Sequence, residues 1–131
     1  MIKVYVTKQS NYPIAAKAIK DCLKTFFVEN GVVSDAMVYV AVVGEAKMKD
    51  YGKRYLGESK NAPVHSVLSF TASEAKKEFV YPPDGNLYLG EIVICYPKVV
   101  EEATVEGKLI EVKALELVEH GGLHLLGVHH E

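Results

Sequence analysis

A chain of 131 residues is long enough for one compact domain with a single hydrophobic core. Apolar residues make up 49% of it and charged residues 24%, which excludes the disordered and fibrous classes. The formal net charge of -2 excludes a strong positive field over the whole surface, so nucleic acid would be attracted only by a local basic patch.

The first residues, "MIKVYVTKQS", lack the unbroken apolar region and the small-residue cleavage site of a signal peptide. No apolar run approaches the length needed to span a membrane. Cys22 and Cys95 form no C-x-x-C pair, which favours buried free thiols over a disulfide or a thiolate metal site. We therefore expect a cytoplasmic protein without membrane contact.

The predicted elements begin with a strand, because apolar and polar residues alternate in "IKVYVT". Pro13 is suited to the first turn of a helix. The following segment, "AAKAIKDCLKTFFVEN", places its apolar residues on one side, among them Cys22 and Phe26. Asn30 and Gly31 accept the left-handed conformation that ends such a helix.

Three further strands and a short helix are predicted along the middle of the chain. "DAMVYVAVVG" is rich in β-branched residues and predicts the second strand. "EAKMKDYGKRYLG" predicts a helix, because Met48, Tyr51 and Tyr55 recur at helical spacing. "VHSVLSF" predicts the third strand, and "LYLGEIVIC" predicts a fourth that is apolar enough to be central. The loop between these two strands contains the turn signal "PPDG".

From about Val99 to Leu126 the chain is helical in character, with a break near Gly107 and an end at Gly127. Strands interspersed with helices favour a layered architecture. We predict an α+β fold in which residues 1–131 form a single domain. It has one mixed β-sheet of about four strands packed with helices, and its C-terminal helix carries a metal motif.

That motif is "HGGLHLLGVHH", which holds four of the five histidines. His120 and His124 are four residues apart, so on a helix both imidazoles lie on the same face, one turn apart. Gly127 permits a tight turn that can bring His130 back as a third ligand. Three histidines with one open position are typical of a catalytic zinc site, so we predict one Zn²⁺ per chain.

A solvated histidine-rich tail or a purification tag would also account for the cluster, but the surrounding leucines and valines are typical of a core. Gly121 and Gly122 each cost a helix about 1 kcal/mol, which suggests a close approach to a neighbouring element. The metzincin proteases share the ligand spacing and place a glutamate general base directly after the first histidine. Here Gly121 occupies that position and Glu119 lies on the other side of His120, so the peptidase base is missing.

The pattern H-G-x-L-H-L-x-G-x-x-H resembles that of the YbeY family of metal-dependent endoribonucleases. "SVLSF" is similar to the family's T-D-V-L-S-F strand and "LGEIVIC" to its L-G-D-I-V-I-S strand, in the same order over nearly the whole chain. The resemblance implies a zinc-dependent, single-strand-specific endoribonuclease of the bacterial cytoplasm that acts in rRNA maturation and ribosome quality control. It also implies that His120, His124 and His130 hold the zinc. The partners would be single-stranded RNA, rRNA and the small ribosomal subunit, with no DNA expected.

Two departures from the family pattern suggest further site residues. Where the family has G-Y-D-H, this chain has His129 in place of the acid, so we predict a catalytic role for His129 beside the metal. The family's N-x-x-Y-R segment falls at "GKRYLG", with Leu56 in the register of the arginine. Arg54, two residues earlier, is the candidate replacement in catalysis.

Lys53 and Lys60 are candidate substrate-binding residues, because with Arg54 they could neutralise phosphate charge. Ser69 is a third candidate, since family members line their cleft near that strand. For each of these residues, a solvated surface or an ordinary place in the sheet accounts for its presence equally well.

Three functions are compatible with these residues. The first is a metal-dependent endoribonuclease, in which either a metal hydroxide or the RNA 2′-hydroxyl attacks phosphorus. The second is a metal-dependent hydrolase of another substrate, such as a peptide, which the missing glutamate disfavours. The third is a ribosome-assembly factor that uses zinc structurally and catalyses little.

Overall fold

A computed structural model gives the fold of residues 1–74 and 87–127. The elements in these ranges are β1 (Ile2–Lys8), α1 (Ala16–Glu29), β2 (Ala36–Val43), α2 (Glu45–Leu56), β3 (Val67–Thr71), β4 (Leu87–Cys95), α3 (Tyr96–Glu106) and α4 (Ile110–Leu125). The four strands form one sheet in the order β1-β2-β4-β3. The first three are parallel, and β3 runs antiparallel to β4. This confirms the predicted α+β fold with one mixed sheet.

One face of the sheet packs against α1 and α4. It carries alternate residues of the central strands, including Val38, Val40, Ile92 and Ile94, all of which are buried. Helix α1 contributes Phe27, which is fully buried, whereas Phe26 is only partly buried at the edge of this core. The apolar side of α1 is therefore centred closer to Phe27 than to the predicted Phe26.

The opposite face of the sheet packs against α2. Met48 and Tyr51 of this helix contact a second core cluster that contains Phe70, Val93 and Cys95. Since Ile92 and Val93 are consecutive on β4, their side chains point to opposite faces. Helices α2 and α4 therefore lie on opposite sides of the sheet. Within the described ranges, no helix combines the length and the apolar character needed to cross a bilayer.

The paired glycines of α4 allow close packing, as their positions suggested. A Cβ atom on Gly121 would lie 2.9 Å from Cγ2 of Ile92, and one on Gly122 would lie 2.8 Å from Cε2 of Phe26. The helix therefore sits directly on β4 and on α1. His120 is exposed and His124 is partly exposed, so neither imidazole is fully buried in the core.

Close packing also requires a glycine at position 90. This requirement leads to a first testable prediction. Gly90 has φ +140°, it follows an irregularity in the β2–β4 register, and a Cβ there would lie 2.2 Å from the carbonyl oxygen of Phe70. We expect Gly90→Ala to lower the free energy of unfolding by about 3 kcal/mol, because strain and overpacking add. Urea unfolding followed by circular dichroism measures the loss.

Gly57→Ala is the matched control for this substitution. Gly57 also has a positive φ, +67°, but an added Cβ would meet nothing within 4 Å. We therefore expect Gly57→Ala to lower the free energy of unfolding by about 1 kcal/mol, through backbone strain alone. Equal losses in the two variants would contradict the role assigned to close packing at Gly90.

Candidate metal centre

The candidate centre is built on the last turns of α4. His120 and His124 are one turn apart on the same face of this helix. His120 is exposed, and the side chain of His124 is 31% exposed. The helix stops at Leu126, and Gly127 follows with φ +82°, so the expected left-handed turn at Gly127 is confirmed.

His129 and His130 lie outside the described residues. Their roles as catalytic residue and third metal ligand stay predictions. Within the described ranges, no group of three histidine, cysteine, aspartate or glutamate side chains is arranged to hold an ion. The His120 and His124 pair is thus the part of the predicted centre that the structure describes.

A carboxylate that the sequence analysis did not identify lies against His124. Glu74 Oε1 is 3.3 Å from Nε2 of His124, and the same oxygen accepts a hydrogen bond of 2.9 Å from the backbone N–H of Thr71. Mainly because of this N–H, the pKa of Glu74 lies below its ordinary value, with the His124 contact as a smaller cause. Glu74 is therefore ionised at neutral pH.

A sequence signal for Glu74 did exist. Thr71 and Glu74 are spaced as S/T-x-x-E, in which the glutamate side chain reaches back to the N–H of the first residue. That pattern predicts a local turn fixed by Glu74. It does not predict that the turn lies beside α4, because the contact with His124 spans 50 residues.

A groove of about 420 Å³ is lined by residues that neighbour Glu74 and His124 in the chain. It is bounded by the end of β3, the start of β4 and the last turn of α4, and its lining includes Thr71, Ser73, Tyr88 and Leu125. In the chain, Glu74 directly follows Ser73 and His124 directly precedes Leu125.

Ser69 lies on the same face of the sheet as α4. It is paired with Ile92, whose side chain belongs to the core under that helix. Its neighbours Leu68 and Phe70 pack on the α2 face instead, as the alternation of a strand requires. The fold thus brings Ser69 and the histidine pair to one side of the sheet.

The basic candidates lie elsewhere. Arg54 is on α2, on the other face of the sheet, where it forms an ion pair of 2.9 Å with Asp50. Its guanidinium carbon is 5.3 Å from the ring centres of both Tyr51 and Tyr55. The other two candidates, Lys53 in the last turn of α2 and Lys60 in the connection to β3, are exposed. The catalytic role of Arg54 and the substrate-binding roles of Lys53 and Lys60 stay predictions.

Two further pairs of titratable side chains lie on the α2 side of the sheet. Glu91 is only 4% exposed and accepts a hydrogen bond of 3.4 Å from the hydroxyl of Tyr51. Burial, and next the nearby Glu91 charge, raise the pKa of Tyr51 to about 12. His65 Nε2 lies 2.7 Å from Oε2 of Glu58, so this histidine is engaged away from α4.

The donor set at the end of α4 fits a divalent transition-metal ion. Imidazole nitrogens and a carboxylate oxygen are ligands that Zn²⁺ accepts in proteins. His120 is exposed and His124 is partly exposed on one face of the helix, and an ionised carboxylate is already in contact with His124. His120 and His124 could therefore be two of the ligands of such an ion.

Comparison with known proteins agrees with the sequence motifs. Residues 4–131 match the family described as Endoribonuclease YbeY. Endoribonuclease YbeY of Roseiflexus sp. (strain RS-1) is 37% identical over 100 residues, which cover 76% of this chain and 61% of that protein. Endoribonuclease YbeY of Roseiflexus castenholzii is 31% identical over 131 residues, which cover 100% of this chain and 80% of that protein.

A solved structure is similar as well. The solution structure of TM1509 from Thermotoga maritima aligns with a TM-score of 0.55 and 27% sequence identity, over 100% of this chain and 75% of that one. The chain is shorter than these proteins, and it spans less than two thirds of the Roseiflexus sp. relative.

Proposed function

Since the chain belongs to the endoribonuclease YbeY family, as its C-terminal motif predicted, we propose that it is a zinc-dependent endoribonuclease specific for single-stranded RNA. The match of residues 4–131 to this family carries the proposal. We extend it to rRNA maturation and ribosome quality control, with the small ribosomal subunit as partner and the cytoplasm as location. Three neutral imidazoles, from His120, His124 and His130, would hold one zinc ion.

The residues at the site have separate tasks in this proposal. A divalent ion, when bound, supplies Lewis acidity towards a phosphoryl oxygen. In this proposal the groove lined by Leu125 receives a nucleotide, and the hydroxyl of Ser69, which lies on the α4 face of the sheet, hydrogen-bonds the RNA. Lys53 and Lys60 are proposed to neutralise neighbouring phosphates along the strand.

Packing at Gly121 disfavours the peptidase alternative. A glutamate at that position would need space where Cγ2 of Ile92 already lies, 2.9 Å from the ideal Cβ. The helix therefore has no room for the general base of a metzincin directly after His120. A hydrolase of RNA remains the better fit to the family and to this helix.

The proposal is tested by cleavage of a labelled, unstructured RNA oligonucleotide with zinc-loaded protein. We expect cutting of the single strand and little cutting of the same sequence in a duplex. A chelator should abolish the activity, and added zinc should restore it. If zinc-loaded protein binds RNA without cutting it, a ribosome-assembly role with structural zinc is favoured instead.

Salt dependence tests the proposed phosphate contacts. Affinity for single-stranded nucleic acid falls as salt rises. Each phosphate that the protein neutralises makes the plot of log affinity against log salt concentration steeper by about 0.7. If all three residues contact phosphates, we expect the combined variant Lys53→Ala, Arg54→Ala and Lys60→Ala to make this plot shallower by about 2. Fluorescence anisotropy with a labelled RNA oligonucleotide measures the slope.

A control variant removes the same charge from α1, with alanine at Lys17, Lys20 and Lys24. These lysines are not candidates for RNA contact, so we expect a slope close to that of the unmodified protein. Equal slopes in both variants would mean that Lys53, Arg54 and Lys60 form only a solvated surface.

A further inference from the structure

The α2 face of the sheet carries exposed aromatic side chains on β1 and β2. Val4 and Val38 belong to the core under α1 and α4. Tyr5 and Tyr39 directly follow them, so the alternation of a strand directs both tyrosines to the α2 face. Tyr5 is 43% exposed, and Tyr39 is partly exposed. Aromatic surface is thus presented on the side of the sheet opposite to the histidine motif.

Three tyrosines form a continuous row across β1, β2 and β4. Tyr5 and Tyr39 are paired in the β1–β2 register, and their rings stack with centres 5.2 Å apart. Tyr88 meets the ring of Tyr39 edge-on at 5.9 Å and is only 4% exposed, so it anchors the inner end of the row. Since β1 is an outer strand of the sheet, the exposed part of Tyr5 is the part directed away from Tyr39. Another flat ring could continue the stack there.

A groove of about 420 Å³ begins where this row ends. Thr7 and Ala41 line it, and each follows a tyrosine of the row by two residues. They therefore lie on the same face, about 7 Å further along the strands. Lys8, Lys47 and Tyr51 also line the groove, which places it between the ends of β1 and β2 and helix α2.

The groove is basic, because its lining residues include two lysines and no carboxylate. Nζ of Lys8 donates to the backbone carbonyls of Tyr12 and Ile14 at 3.4 and 3.2 Å. These bonds fix its position and use two of the three donors of an ammonium group. Nζ of Lys47 lies 5.5 Å from the centre of the Tyr51 ring. Positive charge is thus held beside aromatic surface.

Two carboxylates on this side of the sheet are engaged by other side chains. Glu91 is paired with Tyr39 in the β2–β4 register, but it is only 4% exposed and accepts a hydrogen bond from the hydroxyl of Tyr51. Asp50 forms its ion pair with Arg54. Neither carboxylate is therefore an exposed, unpaired negative charge that would offset the lysines.

We propose that this surface, formed by Tyr5, Tyr39, Lys8 and Lys47, binds single-stranded RNA. One base stacks on Tyr5, and the lysines contact phosphates of neighbouring nucleotides. A single strand fits these features because its bases offer flat faces to an aromatic ring and each of its phosphates carries a negative charge. The inference rests on the proposed function for the identity of the nucleic acid. It adds a place where the strand is held away from the metal motif.

Tyr5→Leu tests the stack, because leucine keeps an apolar contact with Tyr39 and removes the aromatic ring. Binding of a labelled, unstructured RNA oligonucleotide to the metal-free protein is measured by fluorescence anisotropy, so that the RNA is not cut. We expect the affinity to fall about 5- to 10-fold, the lower part of the range for loss of one base–aromatic stack. Tyr5→Phe keeps the ring and should bind like the unmodified protein.

Two comparisons make the test specific. An oligonucleotide with the same phosphates but no bases cannot stack, so Tyr5→Leu and the unmodified protein should bind it equally well. Lys47→Gln should make the plot of log affinity against log salt concentration shallower by about 0.7. Lys24→Gln changes an exposed lysine of α1, on the other side of the sheet, and should leave this plot unchanged. Thermal unfolding of each variant checks that the fold is retained.

RNA binding and RNA cleavage are measured separately, so the inference and the proposed function can fail separately. Unchanged RNA affinity in Tyr5→Leu, or an unchanged salt plot in Lys47→Gln, would overturn the inference even if zinc-loaded protein cuts RNA. An equal loss of affinity for the oligonucleotides with and without bases would overturn it too, because the substitution would then not act through a base. The expected losses in a protein that cuts no RNA would support this surface and contradict the proposed activity.

Discussion

Replacing His120 or His124 by alanine is expected to abolish stoichiometric metal binding by the purified protein. The two imidazoles lie one turn apart on α4, so each variant removes one of the ligands that the helix presents together. The loss should exceed the approximately 10- to 100-fold weakening that follows loss of an outer-shell partner. Elemental analysis should find about one zinc per chain in the unmodified protein and almost none in either variant.

His65→Ala is the matched control. This histidine is paired with Glu58 near the α2–β3 connection, and its loss should leave the zinc content unchanged. A second readout is thermal stability, because a ligand that binds only the folded state raises the midpoint of unfolding. Added zinc should raise it for the unmodified protein and for His65→Ala, but not for His120→Ala. Full occupancy in His120→Ala or in His124→Ala would refute the ligand assignment.

Much of the fold could be predicted because local pattern and tertiary environment agree. "LYLGEIVIC" is almost continuously apolar, and β4 lies between β2 and β3 with both faces covered. The break near Gly107 was predicted from the glycine alone, and Gly107 has φ +67° between α3 and α4. Strand order could not be predicted, since it depends on pairing between segments far apart in sequence.

The beginning of α1 shows how tertiary packing overrides a local signal. Pro13 is suited to a helical first turn, yet the helix begins only at Ala16. Ile14, between them, is 2% exposed and anchored in the core. The chain must bury this side chain before it can turn into the helix, so the helix begins later than the proline suggested.

The candidate site, like the fold, could be predicted only in part. His120 and His124 could be found from spacing, because a single helix fixes their relation. Glu74 could not be assigned to the site, because β3 and α4 meet only in the folded chain. Arg54 was chosen from its register in sequence, and the sequence does not show that α2 lies on the face of the sheet opposite to α4.

Alanine at position 130 is expected to abolish zinc binding, whereas alanine at position 129 is expected to leave it intact. Both residues lie outside the described ranges, so the expectation depends on the motif and on the described turn before it. After His124, the helix ends at Leu125, and Gly127 has a positive φ of +82°. Adjacent side chains cannot easily point at one ion, and the spacing H-x-x-G-x-x-H selects His130 as the third ligand.

His129 and His130 serve as controls for each other, because the two variants remove the same group one residue apart. Zinc content measured side by side decides between them. If His129 instead contacts phosphate, its alanine variant should retain zinc but bind the RNA oligonucleotide more weakly, by about the 1.5–3 kcal/mol of a hydrogen bond to a charged group. Loss of zinc from His129→Ala with retention in His130→Ala would shift the ligand register by one residue. The turn at Gly127 would then have to bring the chain back to the ion one residue earlier than the motif predicts.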